Sequence, residues 1–221
     1  MSAIDELKAV VIEGQAALAV ERTEAALAEG VSADVLLQDG LMAAMREVGR
    51  LFEEGEIFVP EMLVAAHAMR ASLETLRPHL VNSDVKSSGK VAIGTVEGDL
   101  HDIGKNLVAM MLEGAGFEIE DLGTDVYPER FVEAARDGAD IVAMSALLTT
   151  TMTNMERVVH AISDAGLRDK VRILIGGAPI TQAYCDEIGA DGYAKTAASA
   201  VRVARGLLGL DASDGPAAVV S

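Results

Sequence analysis

The sequence predicts an α/β chain in two parts, a four-helix-type bundle followed by a doubly wound sheet of five parallel strands. Up to about Arg77, apolar residues recur at three- and four-residue spacing among abundant Ala, Leu, Met and Glu, with no alternating β-branched run, the pattern of packed helices. Beyond Lys90, short runs rich in Val and Ile alternate with amphipathic stretches of helical length, the pattern of strands joined by crossover helices. Between them Val81 to Gly89 is polar and without period, as expected of an exposed connection.

In the first part, Gly14 marks one break. At the next, Gly30 is suited to end a helix and Ser32 to cap its successor, and Gly55 to Pro60 forms the last, with Pro60 fitting a first helical turn. Residues 1–85 are expected to form this helical domain. In the second part, residues 90–210, the expected strands are Val91 to Gly94, Glu118 to Leu122, Ile141 to Ser145, Arg172 to Ile175 and Gly192 to Ala194. Helices are expected at Ile103 to Glu113, Pro128 to Asp137, Met152 to Ala165, Ile180 to Glu187 and Ala197 to Leu207. Residues 211–221 read as a loose tail. A sheet of this kind binds ligands at the carboxyl ends of its strands, which directs attention to the loops after Gly94, Ser145 and Ile175.

Composition excludes several functions. Acidic residues outnumber basic ones 35 to 18, and a net charge of -17 repels both a phosphate backbone and an anionic membrane, so neither nucleic acid nor membrane is expected as a partner. No run approaches the ~20 apolar residues of a bilayer span, and Met1 to Glu6 lacks the basic start and apolar stretch of a secretory signal, so a cytoplasmic location is expected. The single Cys185 permits neither an internal disulfide nor a thiolate cluster, so a metal must be held by other ligands or arrive within a cofactor. His67 and His79 read as structural or exposed, and the scattered Met residues as core filler.

The loop after the first strand, Thr95 to Asn106, carries the chemistry. It is not a phosphate-binding P-loop: the spacing of Gly98 and Gly104 is wrong, Asn106 stands where Ser or Thr is needed after Lys105, and Asp99 and Asp102 oppose a phosphate. It lacks the Gly-x-Gly-x-x-Gly of a dinucleotide site as well. Taken alone, His101 reads as an ordinary loop residue. Asp99, two positions earlier, changes that: in an extended segment its carboxylate can accept a hydrogen bond from Nδ1 and leave Nε2 as a metal ligand. One His holds a free metal weakly, so the other ligands would come from a macrocycle.

The segment Gly98-Asp99-Leu100-His101-Asp102-Ile103-Gly104 resembles the Asp-x-His-x-x-Gly motif of the cobalamin-binding domain of methionine synthase and of methyl-carrying corrinoid proteins. Ser145 with Leu147, and then Gly176 with Gly177, match the family's two further signatures. The resemblance covers nearly the whole chain and implies a helical cap over a Rossmann-like cobalamin-binding domain. It makes His101 the axial cobalt ligand, Asp99 its partner and Thr151 the hydroxyl of a relay. It places Gly98, Leu100, Asp102 and Gly104 at the cofactor and lines the pocket for its nucleotide tail with Ser145, Leu147, Thr149, Gly176, Gly177 and Ala197. Leu51 to Leu63 resembles the family's lid over the methyl-bearing face, with Phe52 and Val59 as its two apolar contacts, and Gln38 stands where methionine synthase places a Glu near the cofactor.

The implied function is a methyl shuttle, alternating between methylcobalamin and a cobalt(I) corrinoid. The implied partners are a substrate-specific methyltransferase, an acceptor methyltransferase acting on coenzyme M or tetrahydrofolate, and a reductive activator. The chain alone is expected to catalyse little. A mutase subunit holding adenosylcobalamin and a cobalamin-dependent sensor are the alternatives.

Overall fold

The structure, a computed structural model, describes residues 2–80 and 87–210; most of the expected connection and all of the expected tail, residues 211–221, lie outside the described residues. The chain divides into two units. One holds the chain up to Ser87 together with Asn106–Glu118, and the other holds Ser88–Lys105 and the chain from Ile119.

The first unit is built from α1 (Ala3–Ile12), α2 (Ala16–Ala28), α3 (Ala33–Val35), a π-helical stretch (Leu36–Met42), α4 (Ala43–Glu53) and α5 (Val59–Leu80). The π-helical stretch continues α3 into α4, so these segments read as one long helix and the unit has the four-helix character expected. Its breaks follow local chemistry. Gly14, Gly30 and Gly55 have φ of 72°, 89° and 75°, values that glycine adopts without a Cβ clash, and the Ser32 hydroxyl accepts a hydrogen bond from Val35 N–H. Pro78 sits in the last turn of α5, which runs past the expected end at Arg77. Leu7, Leu36, Leu41, Met62, Met69 and Leu76 are fully buried, and α2 packs along α5. The later residues of α6 (Ile103–Gly114) belong to this unit, where Glu113 pairs with Arg70 at 2.6 Å.

The second unit holds the sheet: β1 (Lys90–Val96), β2 (Glu118–Val126), β3 (Ile141–Ser145), β4 (Arg172–Gly176) and β5 (Gly192–Ala194), in the order β2-β1-β3-β4-β5 and all parallel. Its helices are α7 (Pro128–Arg136), α8 (Thr149–Met152), α9 (Asn154–Asp164), α10 (Gln182–Ile188) and α11 (Ala197–Leu207). Both faces of the central strands are buried, which is why their sequences read as unbroken apolar runs. Val142 and Met144 of β3 and Ile173 and Ile175 of β4 share one cluster with Phe131 of α7, Val158 and Ile162 of α9 and Ile188 of α10. On the opposite face Gly192 admits α11: a Cβ there would lie 2.6 Å from Val203 Cγ1.

Several boundaries differ from expectation, among them the start of α10 at Gln182 rather than Ile180. β1 runs to Val96 rather than Gly94. β2 continues past Leu122 through Gly123, whose φ of 86° bends the strand without ending it. The expected helix from Met152 is two, because the threonines from Thr149 to Thr153 are poor helix formers and the short α8 ends before α9 begins.

Candidate functional site

The sheet register sets the site. Thr95 pairs with Ser145 and Ser145 with Gly176, so the ends of β1, β3 and β4 lie side by side and their following loops meet at one edge. Asp99, from the first loop, has no exposed surface, whereas the His101 side chain is 52% exposed. Asp99 Oδ1 accepts the His101 backbone N–H at 3.1 Å and stands 2.7 Å from His101 Nδ1. Its Oδ2 accepts the Thr151 hydroxyl at 2.7 Å, Leu147 N–H at 2.8 Å and, more distantly, Leu148 N–H at 3.4 Å.

This arrangement decides a charge and a tautomer. Burial pushes the Asp99 carboxyl up, but the donors from Thr151, Leu147 and His101 outweigh it and hold the group well below the usual carboxylate range. An ionised carboxylate only accepts, so the proton between the two side chains resides on His101 Nδ1. The tautomer with its proton on Nδ1 leaves the lone pair on Nε2, and among the described residues no hydrogen bond reaches that atom. The Thr95 hydroxyl, fully buried, donates to the His101 carbonyl at 2.9 Å and fixes the loop from below. Asn154 Nδ2 donates to the Glu97 carbonyl at 2.8 Å, and Arg157 pairs with the Glu97 carboxylate.

The structure thus brings Asp99, His101, Leu147 and Thr151 into one hydrogen-bonded group. Leu100 and Leu147 are exposed apolar side chains of the loops at this edge, as are Tyr127 and Leu148, and Ile103 is exposed at the start of α6. Gly98, Asp102, Gly104 and Thr149 are exposed, and Ser145 and Gly176 half-buried. Gly177 has φ 137°, and a Cβ on it would lie 1.9 Å from the Ala146 carbonyl oxygen, so only glycine lets the loops after β3 and β4 come this close. Ala197 is buried at the start of α11 behind the Thr196 cap. In the other unit, Gln38 is exposed on the π-helical stretch, Phe52 lies half-buried near the end of α4, and Val59 opens α5.

Sequence reasoning passed over Thr95, Lys105 and Asp125. Lys105, 3% exposed, donates from Nζ to both oxygens of Asp121 on β2 at 2.6 and 2.7 Å and so ties the first turn of α6 to the sheet. A lysine directly after the motif's Gly104 was the available signal for it. Asp125 showed none.

Among the described residues no three His, Cys, Asp or Glu side chains gather as ligands for a metal ion. A metal at Nε2 would therefore draw its remaining ligands from a macrocycle. One imidazole, backed by a buried carboxylate and set among exposed apolar side chains, would suit a metal carried within a macrocycle.

Comparison with known proteins agrees with this donor set. Residues 89–202 match the family model of the B12 binding domain, and residues 3–77 match a second model also described as a B12 binding domain. A corrinoid protein of Desulfitobacterium hafniense is 42% identical over 213 residues, 95% of this chain and 99% of that protein. Trimethylamine corrinoid protein 1 of Methanosarcina acetivorans is 46% identical over 194 residues, 86% of this chain and 90% of that protein. Among solved structures, a chain of the methanol:cobalamin methyltransferase complex from Methanosarcina barkeri superposes with a TM-score of 0.84 at 31% identity, covering 94% of this chain and 80% of that one. A cobalamin-binding protein from Desulfitobacterium hafniense superposes with a TM-score of 0.77 at 30% identity, covering 92% and 98%.

Proposed function

Because this chain belongs to the B12-binding family of corrinoid proteins, we propose that it is the methyl-carrying component of a corrinoid methyltransferase system, with His101 as the axial cobalt ligand. The observation that carries the reading is the half-exposed imidazole whose Nδ1 is held at 2.7 Å by a fully buried carboxylate. When bound, a corrinoid supplies a cobalt centre that takes up a methyl group and gives it away.

The chain's residues hold and tune that centre. Asp99 keeps His101 in the tautomer that offers Nε2 outward and makes it a stronger donor. Thr151 and Leu147 N–H hold Asp99 as an acceptor for His101 Nδ1, so the ring would stay oriented toward a bound metal. Gly98, Leu100, Asp102 and Gly104 would flank the histidine against the bound corrinoid. Ser145, Leu147, Thr149, Gly176, Gly177 and Ala197 line the proposed tail pocket, and the close backbone approach at Gly177 supports this. Phe52 and Val59 are the proposed apolar lid residues of the helical unit, which would exclude water from the bound methyl group, and Gln38 is a further proposed cofactor contact.

The names of the relatives support methylamines or methanol as the methyl source. The partners would be a methyltransferase specific for that donor, an acceptor methyltransferase acting on coenzyme M or tetrahydrofolate, and a reductive activator. No described helix is long and apolar enough to cross a membrane, and we place the protein in the cytoplasm.

The test is the absorption spectrum of purified protein after incubation with hydroxocobalamin and desalting, beside His101→Ala. Wild type is expected to retain the corrinoid with its own nucleotide base displaced and a histidine in place. The variant is expected to lose the histidine signature. Wild type that retains no corrinoid, or a variant with an unchanged spectrum, would overturn the proposal.

A further inference from the structure

Asp125, near the end of β2, has φ of 54°, and among the described residues it is the one non-glycine with positive φ. That conformation is strained for a residue with a Cβ and is tolerated best by Asn and Asp. The strain coincides with a contact to the histidine loop. Asp125 N–H donates to the Asp99 carbonyl at 3.0 Å, and Asp125 Oδ1 accepts Gly98 N–H at 2.7 Å. One residue therefore grips two consecutive residues of the loop through bonds of opposite sense, donating to one and accepting from the other. Gly98, on the far side of the clamp, has φ of 78°.

The gripped stretch is the one from which Asp99 projects. Asp99 aims the His101 ring through a 2.7 Å bond, so rotation of the 98–99 peptide would swing the carboxylate away from Nδ1 and from its donors Thr151 and Leu147. We propose that Asp125 is a positioning residue for the cobalt ligand, holding the Gly98–Asp99 backbone so that the buried carboxylate keeps His101 at the angle a metal requires. The inference rests on the reading of His101 as the ligand. It adds a β2 residue to a site otherwise built from the loops after β1, β3 and β4. A ligand held through such a partner tolerates displacements of only about half an ångström before its geometry is lost.

Substitution separates positioning from bulk stability. Asp125→Gly relieves the left-handed backbone while removing the acceptor for Gly98 N–H, so a residue with only a structural role would be neutral or stabilising as glycine. Asp125→Asn keeps an acceptor oxygen and tolerates the same φ. The full chain would be loaded with cobalt(II) cobalamin, and the nitrogen splitting of the axial histidine read by electron paramagnetic resonance beside the melting temperature. In the cofactor-free protein the hydrogen-bonded His101 Nδ1 proton would be followed by nuclear magnetic resonance.

Asp125→Asn is expected to match wild type in both signals. Asp125→Gly is expected to melt no lower than wild type, yet to lose most of the nitrogen splitting, to bind cobalamin about tenfold more weakly and to lose the protected ring proton. If Asp125→Gly does not fold, Asp125→Glu, which displaces the carboxylate by one methylene, is expected to weaken the same two signals. Retention of wild-type splitting and ring proton in the folded variant would overturn the inference. Wild type that binds no corrinoid would overturn the carrier reading instead, and the ring-proton comparison would then decide the clamp by itself.

Discussion

A carboxylate with no exposed surface persists as an anion only where donors replace its lost water, and Asp99 has five within reach, three of them backbone N–H groups. Its folded pKa is depressed, so its contribution to stability is present above the unfolded value near ~4 and is lost as pH falls through the folded value. Asp99→Asn is therefore expected to lower the unfolding free energy by about 1–3 kcal/mol at pH 7. In urea titrations across pH, that difference should shrink progressively below about pH 4; a gap that stays constant down to pH 2 would contradict the assignment of charge. Thr151 offers a second check at the same scale. Thr151→Val keeps the shape and removes the donor to Oδ2, at a cost of about 1–3 kcal/mol, whereas Thr151→Ser should lie within about 1 kcal/mol of wild type. Equal losses for the two would mean that the methyl group, not the hydroxyl, matters.

At the scale of elements, strand ends and the loops that follow them set the tolerance to change. Gly177→Ala puts a methyl group 1.9 Å from a backbone oxygen that cannot rotate away, so the loops after β3 and β4 must separate. A loss of more than about 3 kcal/mol is expected by thermal unfolding. Gly98→Ala meets only Thr151 Cγ2 at 3.7 Å and should cost about 1–2 kcal/mol for its left-handed backbone. Comparable losses at both positions would show that the Gly177 approach is not tight. Elements were legible where one physical signal dominates. β3 and β5 begin and end where expected because buried parallel strands are unbroken apolar runs closed by polar residues. The expectation for β2 stops at Leu122 because Gly123 reads locally as an ending, whereas the strand runs on through it to Val126. The break at Thr153 was missed because amphipathic period alone does not mark where two short helices meet.

For the whole molecule, a ligand that binds only the folded chain raises its stability in step with occupancy. Hydroxocobalamin at a hundredfold excess over its dissociation constant should add about 2.7 kcal/mol, read as a rise in melting temperature that grows with cobalamin concentration. His101→Ala should need more cobalamin for the same rise, and an absence of any rise in wild type would contradict cofactor binding. With a net charge of -17, non-specific attraction to nucleic acid would not mask this measurement.

The sequence by itself determined the class of fold, the order of helices and strands, the motif loop and the pairing of Asp99 with His101. These are encoded within a few residues, by hydrophobic period, by glycine and cap positions and by the spacing of one carboxylate from one imidazole. Thr151 entered through the family resemblance, and only the tertiary structure decided that its hydroxyl and Leu147 N–H converge on the far oxygen of Asp99, that Thr95 holds the His101 carbonyl and that Asp125 grips Gly98 and Asp99. The physical reason is separation along the chain. Apart from the Thr95 bond, which closes a single loop six residues long, those bonds join loops that become neighbours only when β1 pairs with β2 and β3, and a hydrogen bond between residues far apart in sequence leaves no period or local composition to read.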